Sequence, residues 1–371
     1  MPFSSVLGAQ SVVKPGVCTS STRPAAPYDG QVVYQTDTDQ TVVWDGTAWA
    51  VLSPIAGGRN ALINGDFRVW QRGTAVQANA GQGAYAADRW CGSHQFQNSR
   101  TQRTAISSAP SGLLSQYALR SSSATTAQNA NGTRMRIAQK IESLNSYRLR
   151  GQQVTLSFWA RFSSATVSSV SNSAGGGDSA YNNFGYSIGS YTSTTDSATN
   201  TTAADTAING TITNGGLPTT WTKYTLTGTV SASANNVDVV FGFSSLGSTA
   251  SADTVWYEIA EVQLEVGTLA SPFEFEDYGT TLAKCQRYFQ SYSGSRWDLY
   301  SQRSGDEAKS ATPSYVTSMR ATPTVTLTDT APDGGPTLNV TAYLYNIRVY
   351  VTSTSGSQAP YFMGWTANAE L

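Results

Sequence analysis

The chain has 371 residues, 13% of them charged and 11% aromatic, with a formal net charge of -1. So neutral and charge-poor a chain lacks the basic footprint of a nucleic-acid-binding protein, and no run of about 18 apolar residues marks a membrane-spanning helix. With 19 Tyr, 9 Trp and 33 Gly, and few of the Lys and Glu that build helices, it is expected to be a mainly β protein of two to three domains of about 100–200 residues each.

In chain order, Met1 to Val17 shows no periodicity and is expected to run extended and dock onto a neighbour. Its first eight residues lack the basic start and apolar core of a signal peptide, so the expectation is assembly in a cytoplasm. A proline-punctuated turn, Thr22 to Gln31, leads into three short strands near residues 31–36, 41–44 and 48–52, joined by polar turns. This meander carries Tyr34, Trp44 and Trp49 on about 35 residues, too few to bury a sufficient core alone. The three aromatics are therefore the candidate oligomer contacts, with copies of the same chain around a symmetry axis or with another protein. Asp37 and Asp39 lack the further ligands of a calcium loop and read as a solvated turn. Ser53 to Gly58 reads as a linker, so the first domain is 1–57.

The second domain, 58–279, opens on Asn60 to Gly73, read as a strand, an Asn64-Gly65 turn and a second apolar run with Phe67, Val69 and Trp70. Asp88-Arg89-Trp90 follows. Strands alternate at Val154, Leu156, Phe158 and Phe162, at Trp221, Tyr224 and Leu226, and at Val237, Val239, Phe241 and Phe243. The closing run from Val255 to Gly267 switches parity near Ala260, predicting a β-bulge and a strand able to pass from one sheet to another. Between Ser163 and Pro218 lies a polar segment too long to lack structure, so a strand or two is expected inside it. The third domain, 280–371, opens with a helix over Gly279 to Phe289 capped by Thr280 or Thr281. Strands are then expected at Thr324 to Thr328 and, as one long strand, at Asn339 to Thr352.

Catalytic signatures are missing. His94 is the lone histidine, and no nucleophile elbow, phosphate loop, dinucleotide fingerprint or CxxC occurs. Cys18, Cys91 and Cys285 are too few and too scattered for a disulfide framework or a zinc site. Glycoside hydrolysis needs only two carboxylates. The candidates Asp66, Asp88, Glu258, Glu261, Glu265, Glu274 and Glu276 fall mostly in closing strands, and the expectation is no enzyme. Aromatics beside amides are suited to gripping sugars, which nominates Tyr181, Tyr186 and Tyr191 in the polar segment and Trp297, with Tyr300, in the third domain. Core packing is the competing role for each.

Three separated stretches, "NALINGDFRVWQRGT…ADRW", "IAQKIESLNSYRLRGQQVTLSFWAR" and "YEIAEVQLEVGTLASPFEFEDY", together resemble the carbohydrate-binding-module-like jelly roll of tailed-phage tail fibres, over roughly Asn60 to Phe289. The N-terminal meander resembles a small module of phage tail and virion fibres, and "LAKCQRYF", "MRATPTVTL" and "WTANAEL" resemble segments C-terminal to the jelly roll in such proteins. The resemblance implies a central jelly-roll β-sandwich between a small N-terminal β-meander and a C-terminal β-rich domain. It further implies a location in the virion, a homotrimer, attachment to tail or capsid proteins through the N-terminal segment, and contact with host-surface polysaccharide. No membrane insertion and no nucleic-acid partner are implied. A purely structural head-decorating or collar fibre is the alternative, and a glycan hydrolase a third reading. Similar jelly rolls often hold a structural Ca²⁺ between their first and last strands, which would fall to Asp66 and Glu261; no other cofactor is expected.

Overall fold

The computed structural model describes residues 16–38, 40–51, 58–78, 84–94, 99–123, 135–163, 184–193, 204–212, 217–243, 255–299, 309–328, 330, 338–351 and 361–371. The N-terminal module is a four-stranded sheet in chain order: β1 (Gly16–Cys18), β2 (Val32–Gln35), β3 (Gln40–Trp44) and β4 (Trp49–Val51). The three expected strands are joined by β1, which pairs with β2 in parallel. Val33 and Val42 face each other across β2 and β3 and are buried. The Asp45 carboxylate closes the β3–β4 turn by accepting from the Thr47 and Ala48 amides at 2.9 and 2.7 Å.

The sandwich takes β5 (Ala75–Ala78), β6 (Ala84–Tyr85), β7 (Cys91–His94), β8 (Ser99–Ala105), β9 (Tyr117–Ser123) and β10 (Met135–Ile141), then a short helical corner, α1 (Ser143–Ser146), with a 3-10 turn over Tyr147–Leu149. It continues through β11 (Gln153–Phe162), β12 (Phe184–Tyr191), β13 (Thr206–Ile212), β14 (Thr222–Thr229), β15 (Asn236–Phe243) and β16 (Trp256–Val266). One sheet runs β13-β12-β15-β10-β7-β6 and the other β14-β11-β16-β9-β8-β5. From β9 onward the chain passes back and forth between them, which is jelly-roll winding. The alternating apolar residues of β11 and β15 meet between the sheets: Phe158 lies edge-on to Phe241 at 4.8 Å, and Phe162 to Phe243 at 6.3 Å. β12 and β13 are the strands expected inside the polar segment.

The expected bulge is present. Ser157 of β11 faces Gln263 while Trp159 faces Ala260, so β16 carries one extra residue there, and Glu261 adopts φ +48. The expected change of sheet does not occur, because β16 is flanked by β11 and β9 in one sheet. The bulge instead opens a place for the domain's first residues. Ala61 donates to the Leu264 carbonyl at 2.8 Å, and Val262 donates to that of Gly65 at 2.9 Å. The opening stretch is therefore not the expected strand, but the expected turn at Asn64-Gly65 is present. Asn64 to Phe67 forms a tight turn, with Asn64 at φ +58 and its buried amide bonded to Val69 and Asp88. Gly65 is required by proximity: a Cβ there would stand 2.1 Å from the Val262 carbonyl oxygen.

Helix α2 (Tyr278–Gln286) comes next, capped by Asp277, whose carboxylate accepts from the Gly279 amide at 2.8 Å. The expected cap, Thr280 or Thr281, lies inside the helix, and Thr281 Oγ1 bonds back to the Asp277 carbonyl. The last part holds two three-stranded sheets. β17 (Phe289–Asp298), β22 (Tyr361–Asn368) and β19 (Thr324–Thr328) form one; β18 (Lys309–Ala311), β21 (Ile347–Val351) and β20 (Leu338–Ala342) form the other. The single strand expected over Asn339 to Thr352 is a hairpin, β20–β21, turned where Tyr343 donates to the Asn346 carbonyl at 2.9 Å. The core parity switches across the turn, from Leu338 and Val340 to Ile347 and Val349, but Tyr343 and Tyr345 extend the second parity back through it and mask the change.

The last residues dock on the opening loop. Arg89, 2% exposed, pairs with Glu370, donates to the Lys140 carbonyl at 2.8 Å and stacks on Tyr288 at 3.5 Å. Arg72 covers the Phe289 ring at 3.6 Å and reaches Glu370 at 3.3 Å. Gln71 donates to the Phe289 carbonyl at 2.9 Å.

Candidate functional site

Strand alternation sends half of β9, β11 and β16 away from the core, onto the outer face of the second sheet. Register aligns Arg161, Glu258 and Arg120 in one row across three strands. Glu258 is fully buried; Arg120 Nε donates to its Oε1 at 2.8 Å, and Arg161 Nε donates to its Oε2. The two guanidiniums remain partly open, at 26% and 16% side-chain exposure. Indoles frame the row: Trp256 lies 4.2 Å from Arg120, and Trp221 lies 4.9 Å from Arg161.

Beside the row, Leu113, Ala118, Trp221 and Ala260 form a small apolar cluster with Ile106 and Trp159 packed on it. Glu261, turned outward by the bulge, holds the covering loop by accepting from the Leu114 and Ser115 amides at 2.7 and 2.8 Å. The Nε1–H groups of Trp159 and Trp221 find no hydrogen-bond partner among the described residues. Both of those N–H atoms are buried, so what the surface offers is the indole framing and two forked cations that share one buried carboxylate. Rings of this kind take the apolar face of a sugar, and fixed guanidinium N–H groups take hydroxyl or carboxylate oxygens.

The aromatics nominated from the sequence do not converge on one surface. Tyr181 and Tyr300 lie outside the described residues. Tyr186 sits at the fringe of the core, edge-on to Phe158 at 5.0 Å. Tyr191 is buried, donates its hydroxyl to Asp238 at 2.6 Å and has Lys140 Nζ 4.3 Å from its ring. Trp297 packs nearly parallel to Phe362, 6.0 Å away, against the C-terminal core. In the N-terminal module Trp44 meets Trp49 edge-on at 5.7 Å, while Tyr34 is paired with Thr41 on the opposite face of the sheet.

Asp66 and Glu261 are neighbours through the Gly65–Val262 hydrogen bond, but their carboxylates have separate partners. Asp66 pairs with Arg68, and Glu261 binds the loop amides. Among the described residues no group of three or more His, Cys, Asp or Glu is placed to hold a metal. The other hydrolase candidates also tie the chain together. Asp88 accepts from the Gln71 amide at 3.0 Å, Glu265 from that of Ser271 at 2.8 Å, and Glu274 from those of Gly58 and Asn60, both at 2.7 Å. Glu276 pairs with Lys284. Burial pushes the Asp66 and Asp88 carboxyls above their ordinary values. The His94 side chain lies outside the described residues.

Sequence reasoning missed Trp256, Arg120 and Arg161. A faint signal existed in β11, where Trp159 and Arg161 hold the parity opposite to Phe158 and Phe162. Arg120 could not be added without the register of β9 on β16.

No family model matches the chain, and no curated protein matches it. Among solved structures it is similar to the enzymatically active domain of bacteriophage CBA120 tailspike protein 4, at 16% identity over 56% of this chain and 21% of that one, with a TM-score of 0.31. It is also similar to TmCBM61 in complex with beta-1,4-galactotriose, at 11% identity over 56% of this chain and 99% of that one, TM-score 0.29. A CBM4 structure aligns at 15% identity over 55% of this chain and 97% of that one, TM-score 0.27. Likeness at this level bears no functional weight; the side chains of this chain do.

Proposed function

We propose that the protein is a non-enzymatic virion fibre of a tailed phage that contacts host-surface polysaccharide through the outer face of its second sheet. The carrying observation is the row Arg161–Glu258–Arg120 framed by Trp256 and Trp221. A carboxylate held by two guanidiniums keeps both forks fixed, which lowers the ordering cost of a polar ligand. The virion role rests on the three jelly-roll motifs and the N-terminal meander of the sequence. Trimeric display would raise the avidity of weak single sites by about 10²–10⁴ where geometry allows simultaneous contact.

The experiment is adsorption of the purified full chain to host cells and extracted host polysaccharide, comparing wild type with Trp256→Ala and Arg161→Ala. Each folded variant is expected to lose about tenfold or more in apparent affinity. Unchanged adsorption by both overturns the sheet-face reading. Absence of any adsorption by wild type favours the purely structural collar or head fibre. Release of reducing sugar from the polysaccharide would make the protein a hydrolase instead.

A further inference from the structure

Beyond the framed row, register adds two more cations to the same outer face. Strands β8, β9, β16, β11 and β14 are consecutive neighbours in the second sheet. Arg100 of β8 is paired with Ser122 of β9, which is paired with Trp256 of β16. Lys223 of β14 is paired with Trp159 of β11. Ser122 shares the parity of Arg120, Trp256 that of Glu258, and Trp159 that of Arg161, so all of them lie on one face. Arg100, Arg120, Arg161 and Lys223 therefore form a stripe that crosses the strands diagonally. At about 4.8 Å per strand spacing, its backbone span is about 20 Å, the reach of several sugar rings rather than one.

The stripe carries more positive charge than its surroundings cancel. Arg120 and Arg161 share a single carboxylate, Glu258. Arg100 and Lys223 are exposed, and neither forms an ion pair among the described residues. Glu261 is buried under the covering loop and held by the Leu114 and Ser115 amides. Glu265, at the far end of β16, is held by the amide and hydroxyl of Ser271. Four cations less the two nearer carboxylates, Glu258 and Glu261, leave an excess of two positive charges, on a chain whose formal net charge is -1. Half-buried Trp256 lies against both central guanidiniums, 4.2 Å from Arg120 and 5.9 Å from Arg161.

We propose that the ligand of this face is an acidic polysaccharide, a chain whose sugar rings bear carboxylate or phosphate groups. It lies along the stripe with a ring on Trp256 and its anions on Arg100, Arg161 and Lys223. The inference rests on the sheet-face reading and names its substrate class. A neutral chain uses the indole but leaves the cations with water alone. Each exposed cation contributes modestly and is screened by salt, so selectivity comes from repetition along the stripe.

The test titrates the full chain, by calorimetry at low and high salt, with oligogalacturonate, its methyl ester, phosphorylated dextran, dextran and polyglutamate. The ester keeps the rings and removes the charge, which isolates the carboxylate. Phosphorylated dextran against dextran isolates the phosphate, and polyglutamate supplies charge without rings. At least one acidic glycan is expected to bind about tenfold more tightly than its neutral counterpart and than polyglutamate, the advantage shrinking at high salt. Arg100→Gln and Lys223→Gln, at exposed positions, are each expected to weaken that binding about two- to fivefold, and together about tenfold. Arg348→Gln, at an exposed position of β21, is expected to leave it unchanged and controls for net charge. Equal binding of acidic and neutral forms overturns the proposal, as does no binding of either acidic glycan. So does polyglutamate binding as tightly, or binding insensitive to the double variant. The sheet-face reading fails separately, when neither Trp256→Ala nor Arg161→Ala changes host adsorption. A neutral glycan bound through Trp256 keeps that reading and removes only the acidic ligand.

Discussion

Asn64 shows how much one side chain can organise. Its amide donates to the carbonyls of Val69 and Asp88 at 2.9 and 3.1 Å, its oxygen accepts from the Val69 amide at 3.0 Å, and its own carbonyl receives the Trp90 indole at 3.0 Å. Asn64→Ala strands the Val69 amide and the Asp88 carbonyl in a buried place, while the Val69 carbonyl keeps the Asp88 amide, and it removes a residue suited to positive φ. A loss of about 3 kcal/mol is expected, read from urea unfolding; a loss under about 1 kcal/mol contradicts this role. Asp238 is a residue-scale case with a pH signature. Burial raises its carboxyl above the ordinary 3.8, with the Tyr191 hydroxyl and Lys140 opposing. A raised carboxyl binds its proton better when folded, so its contribution is fully present below 3.8 and is lost as pH rises through the folded value. Asp238→Asn keeps an acceptor for Tyr191 and removes the charge. It is expected to match wild type near about pH 3 and to exceed it in stability at neutral pH, the gap widening between. A gap independent of pH over that window contradicts the assignment.

At the scale of elements, the strands follow local patterning, while their ends and corners answer to partners elsewhere. The α2 helix begins at Asp277 because that residue is extended and its carboxylate reaches two amides, Gly279 and Thr280. Asp277→Ala is expected to cost about 1 kcal/mol and Thr280→Ala only a few tenths, compared by thermal unfolding; the reverse ranking would restore the threonine cap. The β20–β21 hairpin turns where Leu344 and Tyr345 offer their carbonyls to Met319 and Tyr315 at 2.8 and 3.0 Å. Those donors lie far upstream in sequence, which no local window contains. The β16 bulge was legible, because Tyr257 and Ile259 share one parity and Val262 and Leu264 the other. Its consequence was not: the irregular edge admits the domain's opening residues, with Asn60 bonded to Val262 and Leu264 across more than 200 positions of sequence.

Across the whole molecule, the C-terminal sheets and the sandwich meet through Arg89, Arg72, Tyr288 and Glu370. Glu370→Ala leaves the Arg89 guanidinium buried without its carboxylate, a change that typically costs about 3–5 kcal/mol. Calorimetry is expected to show earlier unfolding, and an unshifted midpoint would show the pair to be dispensable. The N-terminal module has its own small core at Val33 and Val42 and is joined through residues 52–57. Removal of residues 1–57 is expected to leave the unfolding midpoint of the rest within a few degrees of the full chain while abolishing trimer formation in sedimentation. A remainder that cannot fold, or a full-length chain that sediments as a monomer, refutes this division.

The amino-acid order by itself determined the mainly β class, the alternating core residues of β11 and β15, the bulge near Ala260, the two strands within the polar segment and the helix after residue 277. These rest on side-chain period and turn chemistry, which act over a few neighbouring residues. Only the tertiary structure decided which polar residues became surface chemistry. Tyr191 and Trp297 look like sugar-binding residues in sequence but are claimed by Asp238 and Phe362. Arg120, Arg161 and Trp256 look ordinary until strand register places them around Glu258. Register and sheet order bring together residues about 100 positions apart or more, and no local preference contains that information.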